Sequence, residues 1–437
     1  MGSPERVGVG IIGLGVVGCG IIEILRDRKD YFRSVRGIDL VIEKIAVRDA
    51  FKNRPIDVGP DLLTEDPEEV INRAGVQIVV EVMGGIDLAK TYIEKALGSG
   101  KDIITANKAL LAEHGDRLFD LASNNDCGLA FEASVCGGIP IIRSITQGLP
   151  ANHVSSLCGI LNGTTNYILT KMTDAGGDFG HILEQAQALG YAEADPTMDV
   201  DGTDAVQKLA ILCRLAFGVS IPYRSILREG ITEISPIDIT YAGELGYTIK
   251  LLGIAKSGER GLEARVHPAL VPEDALLANI KDEFNAIEVV GDAAGPQVYT
   301  GRGAGSLPNA SAVVSDLLYQ AERRIAGRPR ISRQMVDVVA TEPLATDKIE
   351  TSYYCRFSVD DTPGVLAHIA EIFAKQRIGI ARVIQDGRSE TKGGSVPLIM
   401  TTHDACERAM QRAKDEIDIL DVVKEPPRII RIESLSG

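Results

Sequence analysis

The stretch between Asn162 and Lys208 concentrates carboxylates and a lysine, residue types that can serve acid–base chemistry. It runs Asn162-Gly-Thr-Thr-Asn166, then Gly190-Tyr-Ala-Glu-Ala-Asp-Pro196, then Asp199, Asp201, Asp204 and Lys208. Carboxylates from Glu193 to Asp204 gather just before a helix whose only ammonium, Lys208, has apolar neighbours. On a wheel of about 100° per residue, Ile211, Leu212, Leu215 and Asp204 fall within ~60° of Lys208, and the polar strip of Thr203, Gln207 and Arg214 lies elsewhere. An ammonium in an apolar stripe must snorkel or pair. Asp204 stands at the i,i−4 spacing that allows pairing. Alone, such a pair is an ordinary helix salt bridge of roughly a few tenths of a kcal/mol. The acidic run and the cofactor motif that follows shift the reading from a plain salt bridge to a functional pair.

The elements that must position these groups begin at the N-terminus. An apolar run over residues 7–12 ends in Gly13-Leu-Gly15-Val-Val-Gly18 and a helical pattern. In that strand-to-helix context the glycines permit a tight turn and close approach of a pyrophosphate to the helix N-terminus. Strand-like runs at 40–47, 77–83, 102–105 and 129–133, with a helix over 90–98, predict a parallel doubly wound α/β sheet. The second strand ends in Val47-Arg48-Asp49, with Lys52 and Arg54 beyond. Arg48 and these cations favour NADP, while Asp49 keeps NAD open. Lys108 follows the strand 102–105, at the edge that faces the cofactor crevice in such a sheet.

At 437 residues the chain should divide into domains. A dinucleotide-binding domain is expected over 1–145, completed by 301–325. A substrate and dimerisation domain of α+β type is expected over 146–300, with strands at 154–161 and 263–270. A linker over 326–349 then leads to a βαββαβ unit over 350–437. The net charge of −15 argues against nucleic acid and anionic membrane surfaces. Seven dispersed cysteines with no Cys-x-x-Cys fit reduced thiols, and no signal peptide or span is visible, so a cytoplasmic protein is expected.

These motifs resemble those of homoserine dehydrogenases, which interconvert L-aspartate 4-semialdehyde and L-homoserine with NAD(P)H. The resemblance rests on residues 13–18, Glu81-Val-Met-Gly-Gly85, Thr105-Ala-Asn-Lys108, Phe131-Glu-Ala-Ser-Val135, Leu161-Asn-Gly-Thr-Thr-Asn-Tyr167, 190–196, Asp204-x-x-x-Lys208 and Gly303-Ala-Gly305. With no kinase-like segment ahead of it, the chain is similar to the monofunctional form. The match implies Lys208 as acid–base catalyst, Asp204 as the residue that positions substrate, and Lys108 at substrate and nicotinamide. Glu193 is implied as the amino-group ligand, with Asp199, Gly163, Thr164 and Tyr191 around the substrate. Gly13, Leu14, Gly15, Val16, Val17, Gly18, Arg48, Met83, Gly84, Thr105, Lys108 and Gly305 are implied around the cofactor. A catalytic lysine would serve both directions if apolar surroundings lowered its pKa from ~10.4.

The family also implies a monovalent cation, usually sodium, held largely by backbone carbonyls at Glu132, Val135, Gly137 and Ile139. Two departures stand out: Asn309 follows Pro308 where relatives often carry Thr, and Met198 replaces an Asp of some relatives. The tail resembles an ACT domain, with Asp361, Gly364, Val365 and Leu366 at the turn where such modules hold amino acids. That implies feedback by L-threonine and a homodimer or homotetramer. The alternatives are a non-catalytic dinucleotide and amino-acid sensor, or a dehydrogenase of another amino-acid semialdehyde.

Overall fold

The computed structural model describes residues 3–328, 338–385 and 394–434. Part of the expected linker, 329–337, lies outside the described residues. The chain opens with β1 (Glu5–Ile12), α1 (Val16–Asp27), β2 (Ile38–Ala46), β3 (Leu63–Thr64), α2 (Pro67–Asn72), β4 (Ile78–Glu81), α3 (Asp87–Gly98), β5 (Asp102–Thr105), α4 (Lys108–Asn124) and β6 (Leu129–Ala130). These strands form one parallel sheet in the order β3-β2-β1-β4-β5-β6. Apolar runs such as Ile78–Glu81 are buried throughout, as strands covered by helices on both faces require. The order reverses between β1 and β4, which opens a crevice at their carboxyl ends. The run expected to continue as strand to 133 stops at Ala130, because Glu132–Ser134 turns into a short 3-10 helix.

The second sheet comprises β7 (Val154–Ile160), β8 (Leu227–Arg228), β9 (Tyr247–Gly258), β10 (Gly261–Pro272), β11 (Phe284–Gly291) and β12 (Gly295–Arg302). Helices α5 (Gly163–Ala175), α6 (Thr203–Phe217) and α7 (Pro236–Glu244) accompany it, and α8 (Ser306–Ile325) returns to pack on α1. The sequence reading found β7 and β10 but not β9, β11 or β12. Those strands are mixed apolar and small-residue runs that lack clean alternation.

The tail follows the expected βαββαβ order: β13 (Glu350–Asp360), α9 (Val365–Lys375), β14 (Ile380–Ile384), β15 (Ser395–Thr402), α10 (Glu407–Asp418) and β16 (Val423–Ile432). Its strands pair in the order β16-β13-β15-β14 and form their own apolar layer with the two helices. Its edge is not isolated. Strand β16 lies parallel to β10, Ala269 opposite Arg431 and Leu270 opposite Ile432, so hydrogen bonding runs through both units.

Helix α6 occupies the centre. Every residue from Asp204 to Leu215 is buried, including the strip of Gln207 and Arg214 that the wheel separates from Lys208. The reason is packing on several sides, by α4 as well as by β9 and β10. Arg214 is accommodated by Asp116 and by the Phe119 ring, 4.4 Å from its guanidinium carbon. Among the described residues no helix is long and apolar enough to cross a membrane, and all seven cysteines are free.

Candidate active site

Two helix starts converge on one carboxylate. Lys108 is the first residue of α4, whose start is capped by the Asn107 side chain accepting from the Leu110 amide at 3.1 Å. Asp204 lies in the first turn of α6. Its Oδ1 is 3.0 Å from Lys108 Nζ, and its Oδ2 accepts from Lys208 Nζ at 2.7 Å. Lys208 also donates to the Leu161 carbonyl at 2.7 Å. Burial alone would raise the Asp204 carboxyl, but Lys208 and Lys108 together hold it well below the usual carboxylate range.

Burial works to lower the Lys208 ammonium, but Asp204 outweighs it, with support from Cys136 and Asp199, and the group ends above its ordinary value. The lowering expected from apolar surroundings is therefore reversed. The stripe of leucines and isoleucines is present, but a carboxylate in direct contact dominates it.

Asn162 links this cluster to the acidic segment. It caps α5 by accepting from the Thr165 amide at 2.8 Å, and its amide nitrogen donates to Asp204 Oδ2 at 2.9 Å and Asp199 Oδ1 at 2.7 Å. Burial pushes the Asp199 carboxyl up, opposed by the Asn162 hydrogen bond. Gly163 is the first residue of α5 and approaches the Glu283 carbonyl so closely that a Cβ would lie 2.6 Å from it. Thr164 Oγ1 donates to the Tyr191 carbonyl at 2.9 Å, and the Tyr191 ring stacks on Tyr167 at 4.5 Å. Glu193 is exposed, and among the described residues its carboxylate takes no hydrogen bond or ion pair.

The glycines of the 13–18 motif lie where the backbone approaches closely or is left open. Gly13 has φ +107°, and a Cβ there would sit 2.6 Å from the Val82 carbonyl oxygen; at Gly18 it would sit 2.6 Å from the Gly13 carbonyl oxygen. A Cβ on Gly15, the residue before α1, would meet nothing, which leaves room at a helix N-terminus for a phosphate. Leu14 is buried, Val16 exposed and Val17 half-buried. Gly305, with φ +123°, precedes α8, and Ser306 Oγ donates to the Val16 carbonyl at 2.8 Å.

Glu81, to which the sequence reading gave no role, organises the crevice floor. It accepts from Met83 N at 2.9 Å, Gly84 N at 3.3 Å and Thr105 Oγ1 at 2.6 Å. An acid closing an apolar strand was the available signal. Arg48 is exposed at the end of β2. Asp49 Oδ1 accepts from the Phe51 and Lys52 amides at 2.8 and 3.1 Å, so it folds its own loop.

In the 132–139 segment, Glu132 accepts from the Ile142 and Arg143 amides at 2.8 and 3.1 Å. Burial, and then Asp316, push its carboxyl up to about 8. The Glu132 and Ile139 carbonyls accept from Val135 N and Ile141 N. Among the described residues nothing donates to the Val135 or Gly137 carbonyls. Asn309 Oδ1 is buried without a hydrogen-bond partner and lies 1.7 Å from where a Gly137 Cβ would stand. Asn285 donates to Cys136 Sγ at 3.2 Å and leaves its own buried oxygen unpartnered. These neutral oxygens suit a weakly charged cation. Nothing in the sequence pointed to Asn285.

At the tail turn, Gly364 has φ +100° and precedes α9; Val365 is buried and Leu366 exposed. A cavity of about 510 Å³ is lined there by Asp361, Gly364, Val365 and Leu366 among others.

Comparisons with known proteins agree on one family. Residues 13–132 match the family described as "Homoserine dehydrogenase, NAD binding domain", and residues 140–318 match "Homoserine dehydrogenase". The chain is 42% identical to a homoserine dehydrogenase of Neisseria gonorrhoeae over 434 residues, 98% of this chain and 99% of that one. It is similar to the crystal structure of a homoserine dehydrogenase from Thiobacillus denitrificans, with TM-score 0.90, 40% identity and 99% of each chain covered. A hyperthermophilic archaeal homoserine dehydrogenase in complex with NADPH matches with TM-score 0.62 and 25% identity, over 73% of this chain and 98% of that one.

Proposed function

The chain belongs to the homoserine dehydrogenase family, an oxidoreductase with a nicotinamide-dinucleotide-binding domain, and we propose that Lys208, Asp204 and Lys108 carry its acid–base chemistry. The bound dinucleotide supplies or accepts the hydride. The observation that carries the proposal is one buried carboxylate with a lysine on each oxygen. Lys208, held as an ammonium, donates the proton to the carbonyl oxygen when the semialdehyde is reduced. In the oxidising direction it accepts the hydroxyl proton. Lys108, whose side chain is 38% exposed, reaches from the dinucleotide domain toward the substrate and stabilises the developing alkoxide. Glu193 and Asp199 hold the substrate ammonium. Glu193, free of partners among the described residues, serves this role when the 190–196 segment meets the ligand.

We further propose NADP over NAD. Arg48 stands exposed beside the loop that Asp49 uses its carboxylate to fold, which favours a 2′-phosphate over a ribose hydroxyl. The free carbonyls at Val135 and Gly137 support a monovalent cation, sodium by family resemblance, with Glu132 and Ile139 completing the segment. The C-terminal unit is read as a regulatory domain that binds L-threonine at residues 361–366 in a homodimer or homotetramer, with domain limits as given above. The protein is read as cytoplasmic.

Homoserine-dependent reduction of NADP and of NAD, with a Lys208→Ala control and added L-threonine, tests these readings together. The expected result is faster turnover with NADP, activity lost in the variant, and inhibition by threonine. Full activity in Lys208→Ala would refute the lysine assignment. Thermal stabilisation by sodium, absent with choline at equal ionic strength, tests the cation.

A further inference from the structure

One buried amide touches three of the segments around the site. Asn285 lies on β11 and is completely buried. Its Nδ2 donates to Cys136 Sγ at 3.2 Å, in the 132–139 segment. A Cβ on Gly163, the first residue of α5, would lie 3.2 Å from its Oδ1. A Cβ on Gly303, between β12 and α8, would lie 2.3 Å from the same oxygen. The amide therefore fills the space that two missing side chains leave. We infer that Asn285 is a positioning residue for the acid–base chemistry, acting on Lys208 through Cys136 and the Leu161 carbonyl. The inference rests on the proposed role of Lys208.

Three observations carry it. The contacts are contiguous: Cys136 Sγ is a weak donor to the Leu161 carbonyl at 3.8 Å, and that same carbonyl accepts from Lys208 Nζ at 2.7 Å. The next residue, Asn162, is the one whose amide holds Asp204 and Asp199. Secondly, Cys136 has φ +51°, a left-handed backbone that a residue with a side chain adopts at a cost. Such strain persists only where the surroundings over-determine it, and the Asn285 amide supplies one of those constraints. Finally, Asn285 Oδ1 is buried without a hydrogen-bond partner. An apolar side chain of similar volume would fill the same space without stranding an acceptor, so packing alone does not account for an amide there. A local rule broken beside an active site is the expected mark of a functional residue.

The consequence falls on the ammonium. A hydrogen bond to a charged group favours that charge. Without the Asn285 donor, Cys136 is freed to leave the left-handed region, and the Leu161 carbonyl loses a neighbour that fixes it. Lys208 then gives up its proton more readily. The titratable groups around that ammonium are Asp204, Asp199, Lys108 and Cys136. None of them is changed by Asn285→Leu, so a shifted pH profile in that variant reports position rather than charge.

The test measures kcat, KM, thermal midpoint and the pH midpoint of homoserine oxidation. The variants are Asn285→Leu, Cys136→Ala, Cys136→Ser, the double Asn285→Leu/Cys136→Ala, and Lys208→Ala. In Asn285→Leu and in Cys136→Ala, kcat should fall about ten-fold, each KM should stay within about two-fold, and the pH midpoint should drop by about half a unit or more. The double variant should be no worse than either single one, because both act along one path. Cys136→Ser, whose hydroxyl accepts from Asn285 and donates to Leu161, should recover most of the turnover lost in Cys136→Ala. Losses that multiply in the double variant overturn the inference, as does an unchanged pH midpoint in both single variants, or a loss confined to thermal stability. If Asn285→Leu does not fold, the two Cys136 variants decide: rescue by serine sustains the inference, and equal turnover with equal midpoints overturns it. Turnover kept by Lys208→Ala would remove the lysine reading and this inference with it. Turnover lost there but kept in Asn285→Leu and Cys136→Ala would overturn this inference alone.

Discussion

Asp204 is buried and Glu229 exposed, yet each receives cations, and the contrast between them separates the proposed chemical site from a structural joint. Asp204 divides its oxygens between two lysines, one nearly buried and one 38% exposed. Glu229 faces the fork of a single buried arginine, Arg431, whose other edge is closed by Glu407 at 2.8 and 2.9 Å. Lysine is a flexible point charge that can yield its proton, whereas arginine keeps its charge and holds partners in fixed planar geometry. The first arrangement suits proton transfer and the second suits joining two units. A buried charge lies at each place, Asp204 at the first and Arg431 at the second, so burial alone does not indicate catalysis.

The sharpest way to break this comparison is Asp204→Asn. Both lysines lose their shared counter-ion, and turnover should fall by about a thousand-fold. The same change should alter acid stability. The Asp204 carboxyl lies below its unfolded value, so its contribution is present above roughly pH 4 and is lost as pH falls through the folded value. Denaturation followed from pH 7 to pH 3 should show a flatter acid limb in the variant. Turnover within a few-fold of wild type would remove Asp204 from the mechanism.

Lys208 gives the next effect. Its ammonium is raised, so reduction of the semialdehyde should be insensitive to its protonation across neutral pH. Oxidation of homoserine needs the neutral amine and should accelerate as pH rises toward the alkaline range, by up to about ten-fold per unit. Lys208→Arg, which keeps charge but cannot release a proton, should lose roughly a hundred-fold and abolish that slope. A retained slope would transfer the proton to Lys108.

At the joint, Glu229→Gln should cost about 1 kcal/mol of stability, read from denaturant midpoints, because Arg431 keeps Glu407 and the exposed Glu229 is screened by solvent. The kcat of unliganded enzyme should change little. A large kcat loss without loss of stability would mean that the seam takes part in the chemistry directly.

How much of this was legible in sequence follows from how local each signal is. Gly13, Gly15 and Gly18, or Asp204 and Lys208, announce themselves within one turn of chain. The parallel sheet was readable because its strands are continuous apolar runs. The strands at 247–258 and 284–302 were not, since their register depends on partners far away in sequence. Lys108 meeting Asp204 could only be inferred through a resemblance, because the contact joins two helices 96 positions apart in their key residues. The reversed pKa of Lys208 has the same origin: a wheel displays the apolar stripe but not the distance to Asp204. Asn285, a lone polar residue in a strand, carried no pattern at all.

The smallest effect concerns the cofactor and tests whether surface charge can specify as burial does. Arg48 is exposed, so its attraction to a 2′-phosphate is screened by solvent. Arg48→Ala should therefore raise the KM for NADPH by only about ten-fold, near 1.4 kcal/mol, and leave the KM for NADH almost unchanged. The difference should shrink between about 50 and 200 mM salt, because an exposed ion pair weakens with screening. Equal loss with both cofactors would mean that Arg48 shapes the loop rather than reads the phosphate. The NADP preference would then have to come from Lys52 or Arg54, and Arg54 is already committed to the Asp49 and Lys52 carbonyls at 2.6 and 2.8 Å.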